Sequence, residues 1–221
     1  MTNDLPGSNG KMMVGAVLRS KAKTVHFIRH AEGTHNEAAR TEGRAAYSKI
    51  EHMDARLTDK GKDQCRNLKA VGHGIQKEAQ LVVVSPLTRA IQTALLTLDQ
   101  VDRVPWMALE CARERAGGHY CDKRRALSVL KEEFPSINWQ EVKDEEDVYW
   151  ENLGGNRETD EAMKERAFEL FRWIKERPET NIVVVTHSAF LSCMLNKAVS
   201  CSPELSKWFE NCEARTVLLD V

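Results

Sequence analysis

Three short apolar runs in this chain of 221 residues each end in side chains able to hold or attack an anion. Thr24–Ile28 (TVHFI) runs into Arg29 and His30. Leu81–Val84 (LVVV) runs into Ser85-Pro86-Leu87-Thr88-Arg89. Asn181–Val185 (NIVVV) runs into Thr186, His187 and Ser188. Two guanidinium forks beside two imidazoles suit a phosphate-like dianion. A pocket that only held the anion would not need an imidazole at its centre. A neutral imidazole can attack phosphorus and carry the phosphoryl group as phosphohistidine, while the arginines and the second histidine supply positioning and charge stabilisation. The leaving oxygen then needs a proton donor. Glu114, in CARERAGG just after the apolar stretch Met107–Cys111, is the candidate.

The elements that must position these residues alternate in period. The three Val/Ile-rich runs are apolar on both faces, as parallel strands covered on both sides are. Met107–Cys111 reads as a further short strand and Thr216–Val221 as a late or edge strand. Between them the spacing predicts helices. Thr58 caps one that runs to about Val71. Ser85-Pro86 reads as an N-cap and first-turn proline, followed by the stripe Ile91, Ala94, Leu95, Leu98. A second stripe, Met163, Ala167, Leu170, Phe171, Ile174, stops before Pro178, and Ser188 opens a last helix towards Ala198. This alternation predicts an α/β fold, a three-layer sandwich with a mainly parallel central sheet. Such sheets bind ligands at the carboxyl ends of their strands. The helices opening at Ser85 and Ser188 add backbone N–H groups at that edge. Residues Pro135–Asn156 carry mixed signals and read as an insertion or lid.

The segment Arg29-His30-Ala31-Glu32-Gly33-Thr34-His35-Asn36 resembles the RHG-type signature of the histidine phosphatase superfamily, also called the phosphoglycerate mutase-like family. The later motifs follow in the family's order: Ser85 to Ala94 (SPLTRAIQTA), Arg113-Glu114, and Thr186-His187-Ser188. Asp54 to Thr58, Cys121 to Arg125 (CDKRR) and Asn211-Cys212-Glu213 are similar to the plant-type subgroup. The resemblance runs from about residue 23 to 221 and implies one domain over 23–221. It implies that His30 is the phosphoryl-accepting nucleophile, that Arg29, Asn36, Arg89, His187 and the Ser188 N–H bind phosphate, and that Glu114 is the general acid/base, with no metal and no cofactor. Two departures bear on the reaction. Ala31 stands where Gly is commoner, and neither the segment after Asn36 nor Glu114-Arg115-Ala116-Gly117 resembles the corresponding stretch of true mutases. The expectation is therefore a phosphomonoester hydrolase acting on a small phosphorylated metabolite. The alternatives are a phosphoglycerate mutase and a non-catalytic phospho-ligand-binding domain.

Composition bounds the rest. Lys+Arg is 32 and Asp+Glu is 33, for a formal charge of −1, so no overall basic field points to nucleic acid. No run approaches the 18 or so apolar residues of a membrane span. Residues 1–22 read as a flexible leader; Asp4 and the broken stretch Met12–Leu18 make it a poor signal peptide. The six cysteines form no C-x-x-C and read as reduced thiols of a cytoplasmic protein. Lys123 and Arg124, which follow the Glu114 loop, are candidates for a second acidic group on the substrate. His26 reads as a core histidine, His35, His52, His73 and His119 as surface residues, the five tryptophans as packing, and Asp144–Asp147 as a solvated loop. His119 with Cys121 offers too few ligands for a metal site.

Overall fold

The computed structural model describes residues 22–98 and 103–220. The leader read over residues 1–22 lies, apart from Ala22, outside them. Five strands among the described residues form one sheet: β1 (Lys23–Arg29), β2 (Leu81–Val84), β3 (Trp106–Ala108), β4 (Asn181–Thr186) and β5 (Ala214–Leu219). Their order is β3-β2-β4-β1-β5, parallel except for the antiparallel edge strand β5. The apolar runs form these strands because both faces are covered, so every position of LVVV is buried. Successive side chains go to opposite faces. Leu81, Val83, Ile182 and Val184 enter one core, and Val82, Val84, Val183 and Val185 enter the other.

Among the described residues, nine α-helices surround the sheet: α1 (Thr34–Glu42), α2 (Asp59–Val71), α3 (His73–Glu78), α4 (Thr88–Thr97), α5 (Leu127–Glu133), α6 (Val148–Glu151), α7 (Asp160–Glu176), α8 (Ser188–Cys193) and α9 (Pro203–Ser206). The first core takes Ala167, Leu170 and Ile174 of α7 with Phe190 and Leu191 of α8. The second takes Ala90, Ile91 and Ala94 of α4 with Leu127 and Leu130 of α5. The layers are thus helix, sheet, helix. Thr58 caps α2 as its position suggests, its hydroxyl oxygen accepting the Gly61 N–H at 3.0 Å. No helix among the described residues is long and apolar enough to cross a membrane.

Register brings the strand ends together. β1 pairs with β4 so that Arg29 lies opposite Thr186, and His30 and His187 therefore leave the sheet side by side. β2 pairs with β4 so that Val84 lies opposite Val185, which sets Ser85 next to them.

Three expectations need correction. The helix after β2 starts at Thr88, not at Ser85-Pro86, because Leu87 is still extended. Asp54 fills the capping role instead, accepting the Thr88 N–H at 2.8 Å. The last long helix is broken: α8 ends at Cys193 and a π-helical turn covers Met194–Ala198. Residues 135–156 do not form a lid. Asn138 exchanges backbone hydrogen bonds with Trp106 and Ala108 of β3 at 2.8 and 3.0 Å, and Ile137, Trp139 and Val142 are buried in the second core.

Candidate active site

Above the carboxyl ends of β1, β2 and β4 lies a cavity of about 310 Å³ whose wall includes Arg29, His30, Asn36, Arg89, Glu114 and Ser188. His30 is at its centre. Its Nδ1 faces the Ala31 carbonyl at 2.7 Å. A carbonyl only accepts, so Nδ1 carries the proton and Nε2 keeps its lone pair. Burial, then the charges of Arg89 and Arg29, hold this imidazole well below its usual value, so it is neutral at physiological pH. His187 is fully buried beside it, ring centroids 5.0 Å apart. Burial and Arg89 push His187 down in the same way. Its Nε2 meets Ser85 Oγ at 2.7 Å, while its Nδ1 is buried without a partner.

The arginines are anchored from behind. Arg29 donates through Nη1 to the Phe209 carbonyl at 2.7 Å. Arg89 donates to the Cys121 carbonyl at 2.5 Å and to Asp122 Oδ1 at 2.8 Å. Nε of each is buried with no partner among the described residues. Thr93, one turn along α4, accepts the Ala31 N–H and donates to the Arg89 carbonyl, tying the turn after His30 to the helix that carries Arg89. Asn36 Oδ1 accepts the Gly33 N–H at 3.1 Å, which leaves the amide nitrogen to donate. Orphaned buried donors gathered at one wall call for an acceptor, and a phosphoryl group carries several.

Glu114 faces the same cavity but also closes a helix end. Its Oε1 accepts the N–H groups of Arg115 and Phe190 at 2.9 and 3.0 Å, and its Oε2 that of Ala189 at 3.3 Å. The start of α8 is therefore shared: Glu114 takes the second and third N–H groups, and the Ser188 N–H is left for an anion. Arg166 fixes this turn. It pairs with Glu158 through two nitrogens at 2.7 and 2.6 Å and donates to the Cys111, Arg113 and Glu114 carbonyls.

Lys123 and Arg124 are placed elsewhere. Lys123 pairs with Glu151 at 2.9 Å and lies over the Trp150 ring. Arg124 is buried, donating to Glu110 and to the carbonyls of Arg125, Asp144, Glu145 and Glu146. The expected solvated acidic loop is thus an arginine clamp, and its Asp147 is buried on Arg113 at 2.6 and 2.5 Å. Of CDKRR, Cys121 and Asp122 line the cavity, and Asp122 binds Arg89 and Arg157. Burial alone would raise its carboxyl, but His119, Arg89 and Arg157 hold it below the usual range.

Two expected surface histidines belong to the site. His35 is buried, with its ring 5.7 Å from His30 and 5.5 Å from Tyr47; His119 follows, 5.4 Å from Tyr47. Trp208, expected to pack, is 54% exposed and borders the cavity. His35 sits one position before Asn36, so the signature itself pointed to it. Donor atoms of His119, Cys121 and Asp122 lie within 4.8 Å of one another. Two guanidinium groups already occupy that carboxylate, and burial pushes the Cys121 thiol up, so the cluster offers a cation no open acidic ligand. His26 is a satisfied core histidine, its nitrogens on Thr216 and Asn181.

The model of the histidine phosphatase superfamily (branch 1) matches residues 25–221. A phosphoglycerate mutase-like protein of Arabidopsis thaliana is 31% identical, with 93% of this chain and 88% of that protein covered. Among solved structures, a phosphoglycerate mutase from Bacillus anthracis superposes with a TM-score of 0.58 at 18% identity, covering 91% of this chain and 90% of the other. A mycobacterial glucosyl-3-phosphoglycerate phosphatase superposes at 0.54 and 16%, covering 88% and 90%. With a match that spans both histidine-bearing strand ends and the glutamate between them, this chain belongs to the histidine phosphatase superfamily.

Proposed function

We propose that the protein hydrolyses a phosphomonoester of a small molecule in two steps through a phosphohistidine. The observation that carries this reading is the fixed tautomer of His30, which leaves Nε2 its lone pair in the wall of a cavity also lined by Arg29, Arg89 and His35, each with a buried nitrogen that has no partner among the described residues. His30 Nε2 attacks phosphorus as the bond to the leaving oxygen breaks. Arg29, Arg89, His187, Asn36 and the Ser188 N–H take the charge on the phosphoryl oxygens. Glu114, protonated, gives its proton to the leaving alcohol. The resulting carboxylate then takes a proton from the water that attacks phosphorus, which frees His30 and releases phosphate.

Hydrolysis, not isomerisation, is favoured by the mouth. Isomerisation needs a dry pocket closed around the phosphoenzyme. Here exposed Arg44 and Trp208 stand at the rim of the phosphate cavity and also wall a second, larger cavity. Water therefore reaches the phosphohistidine. The decisive experiment supplies 3-phosphoglycerate with and without 2,3-bisphosphoglycerate and follows 2-phosphoglycerate and free phosphate, beside a panel of phosphate esters. Phosphate release from several esters with little isomer is expected. Isomerisation that outruns phosphate release by orders of magnitude replaces the reading with that of a mutase, and no turnover of any ester replaces it with a phospho-ligand-binding domain.

A further inference from the structure

The phosphate cavity adjoins a second of about 660 Å³, and Arg44, His119, Arg157, Ala189 and Trp208 wall both. That volume is well within the range of small-molecule sites, and far more than a methyl or glyceryl leaving group fills. Its wall carries four cationic side chains, Arg44, Arg115, Arg157 and Lys197, against one carboxylate, Asp160. Three of the cations are committed. Arg115 and Lys197 both pair with Asp160, and Arg157 is held by Asp122 and the Gly117 carbonyl. Arg44 pairs with no carboxylate among the described residues. It starts the 3₁₀ turn Arg44–Ser48, which also carries Tyr47 into the phosphate cavity. Across the shared rim stands the indole of Trp208, over half exposed. An exposed aromatic face beside an unpaired guanidinium at the junction of two cavities suits a flat, anionic leaving group.

We infer that the substrate is the phosphate ester of an aromatic or heterocyclic alcohol that carries a second anionic group, its ring against Trp208 and its anion on Arg44. The inference rests on the proposed hydrolase reading for the orientation of the ester: phosphoryl group on His30, leaving group in the second cavity. It moves recognition of the second acid away from Lys123 and Arg124, whose charges are already matched. Arg44, unlike them, is accessible from both cavities.

Binding tests this independently of turnover. Four phosphonates, which cannot be hydrolysed, separate the two features: methylphosphonate, benzylphosphonate, 3-phosphonopropionate and 4-carboxybenzylphosphonate. Their dissociation constants are read by calorimetry on the full chain and on Arg44→Ala and Trp208→Ala. One charge-assisted hydrogen bond is worth roughly tenfold in affinity. The carboxylated compound of each pair should bind about that much tighter, and Arg44→Ala should remove the difference. The benzyl compounds should lead their aliphatic counterparts, and Trp208→Ala should remove that lead. Equal affinity across all four, or an Arg44→Ala effect of the same size on all four, overturns the inference. Phosphate release from phenyl phosphate is followed alongside. Turnover without phosphonate selectivity refutes the leaving-group assignment alone. Selectivity without turnover supports the assignment and refutes hydrolysis alone.

Discussion

Two buried clusters of charge meet at Asp122, whose carboxylate binds Arg89 and whose carbonyl takes Arg113, and they are built on different plans. In the block around Arg113, Arg124 and Arg166, each guanidinium has its carboxylate: Asp147, Glu110 and Glu158 respectively. Burial works against the Arg113 charge, but Asp147 more than offsets it and holds the guanidinium above its usual value. Beside the cavity, Arg29 faces a carbonyl, Arg89 shares Asp122 with Arg157 and leaves Nε without a partner among the described residues, and three buried histidine rings lie tilted against one another. One orphan, Arg113 Nε, falls in the matched block; four, on Arg29, His35, Arg89 and His187, belong to the cavity cluster. Full matching keeps the Glu114 turn in place, and thinner matching leaves positive charge for a dianion. Arg89 and Arg113 are equally hidden, but Arg113 holds Asp147 through both terminal nitrogens, whereas Arg89 shares Asp122 with Arg157.

The comparison can be broken by substitution. His30→Ala should cost about 10⁴-fold or more in kcat with little loss of stability, by analogy with removal of other enzymes' nucleophiles. Rapid quench of the native protein should trap an acid-labile, base-stable phosphoprotein that the variant lacks. Asp147→Asn leaves Arg113 charged and buried without its partner, and should cost about 3–5 kcal/mol in a denaturant titration. If it costs less than about 1 kcal/mol, matched pairing is not what holds the block. Arg89→Ala should lower kcat by roughly 10²–10³, as loss of a preorganised charge does elsewhere. Unchanged kcat and KM would place Arg89 with the structural set, on Asp122.

Two smaller effects sharpen the contrast. Glu114→Gln keeps the acceptor for the α8 N–H groups but removes the proton. It should slow alkyl phosphates by about 10²-fold or more while sparing activated aryl phosphates, whose leaving groups need little protonation. Equal losses on both would make Glu114 a helix cap only. The clusters should also separate with pH. His30, His35 and His187 are each held well below the usual imidazole value by burial and Arg89. Below about pH 6.5 the unfolded chain binds protons that the folded chain refuses, so this stability is complete above that pH and falls as pH drops, by at most about 1.4 kcal/mol per pH unit for each histidine. Asp147 and Glu158 are held below the usual carboxylate range against burial, by Arg113 and Arg166. Their contribution is lost only below about pH 4. Denaturation midpoints between pH 7.5 and 5 should thus fall with the histidines alone. A flat profile there would mean that the cavity histidines protonate in the folded chain.

The convergence of His30, Arg89 and His187 was legible because it depends on strand ends, and Val/Ile runs announce their ends. Thr58 and the α7 stripe were legible for the same local reason. The start of α4 was not: Ser85-Pro86 has the local chemistry of a helix start, but Ser85 is drawn to His187 and Asp54 arrives from 34 residues away to take the Thr88 N–H. The block around Arg113 was hidden too, since nothing in the segment Asp144–Asp147 says that its carbonyls wrap Arg124. In CDKRR the segment was right and the residues were wrong. Charge type drew attention to Lys123 and Arg124, whereas the fold of that turn gave the cavity Cys121 and Asp122.

The sheet order has a consequence for how the molecule is made. β1, which leads into His30, has no partner among the strands that follow it next in the chain. Both its neighbours, β4 and β5, lie beyond residue 180. A ribosome must therefore synthesise the chain past residue 180 while this strand stays unpaired, its VHFI segment exposing both edges. Such a strand is a template for association with other chains, and closing so distant a contact is slow. His30 and His187 first meet when β4 pairs with β1, so the cavity cannot assemble before β4 has been made. Premature stops short of residue 181 should yield aggregates and not partial enzymes.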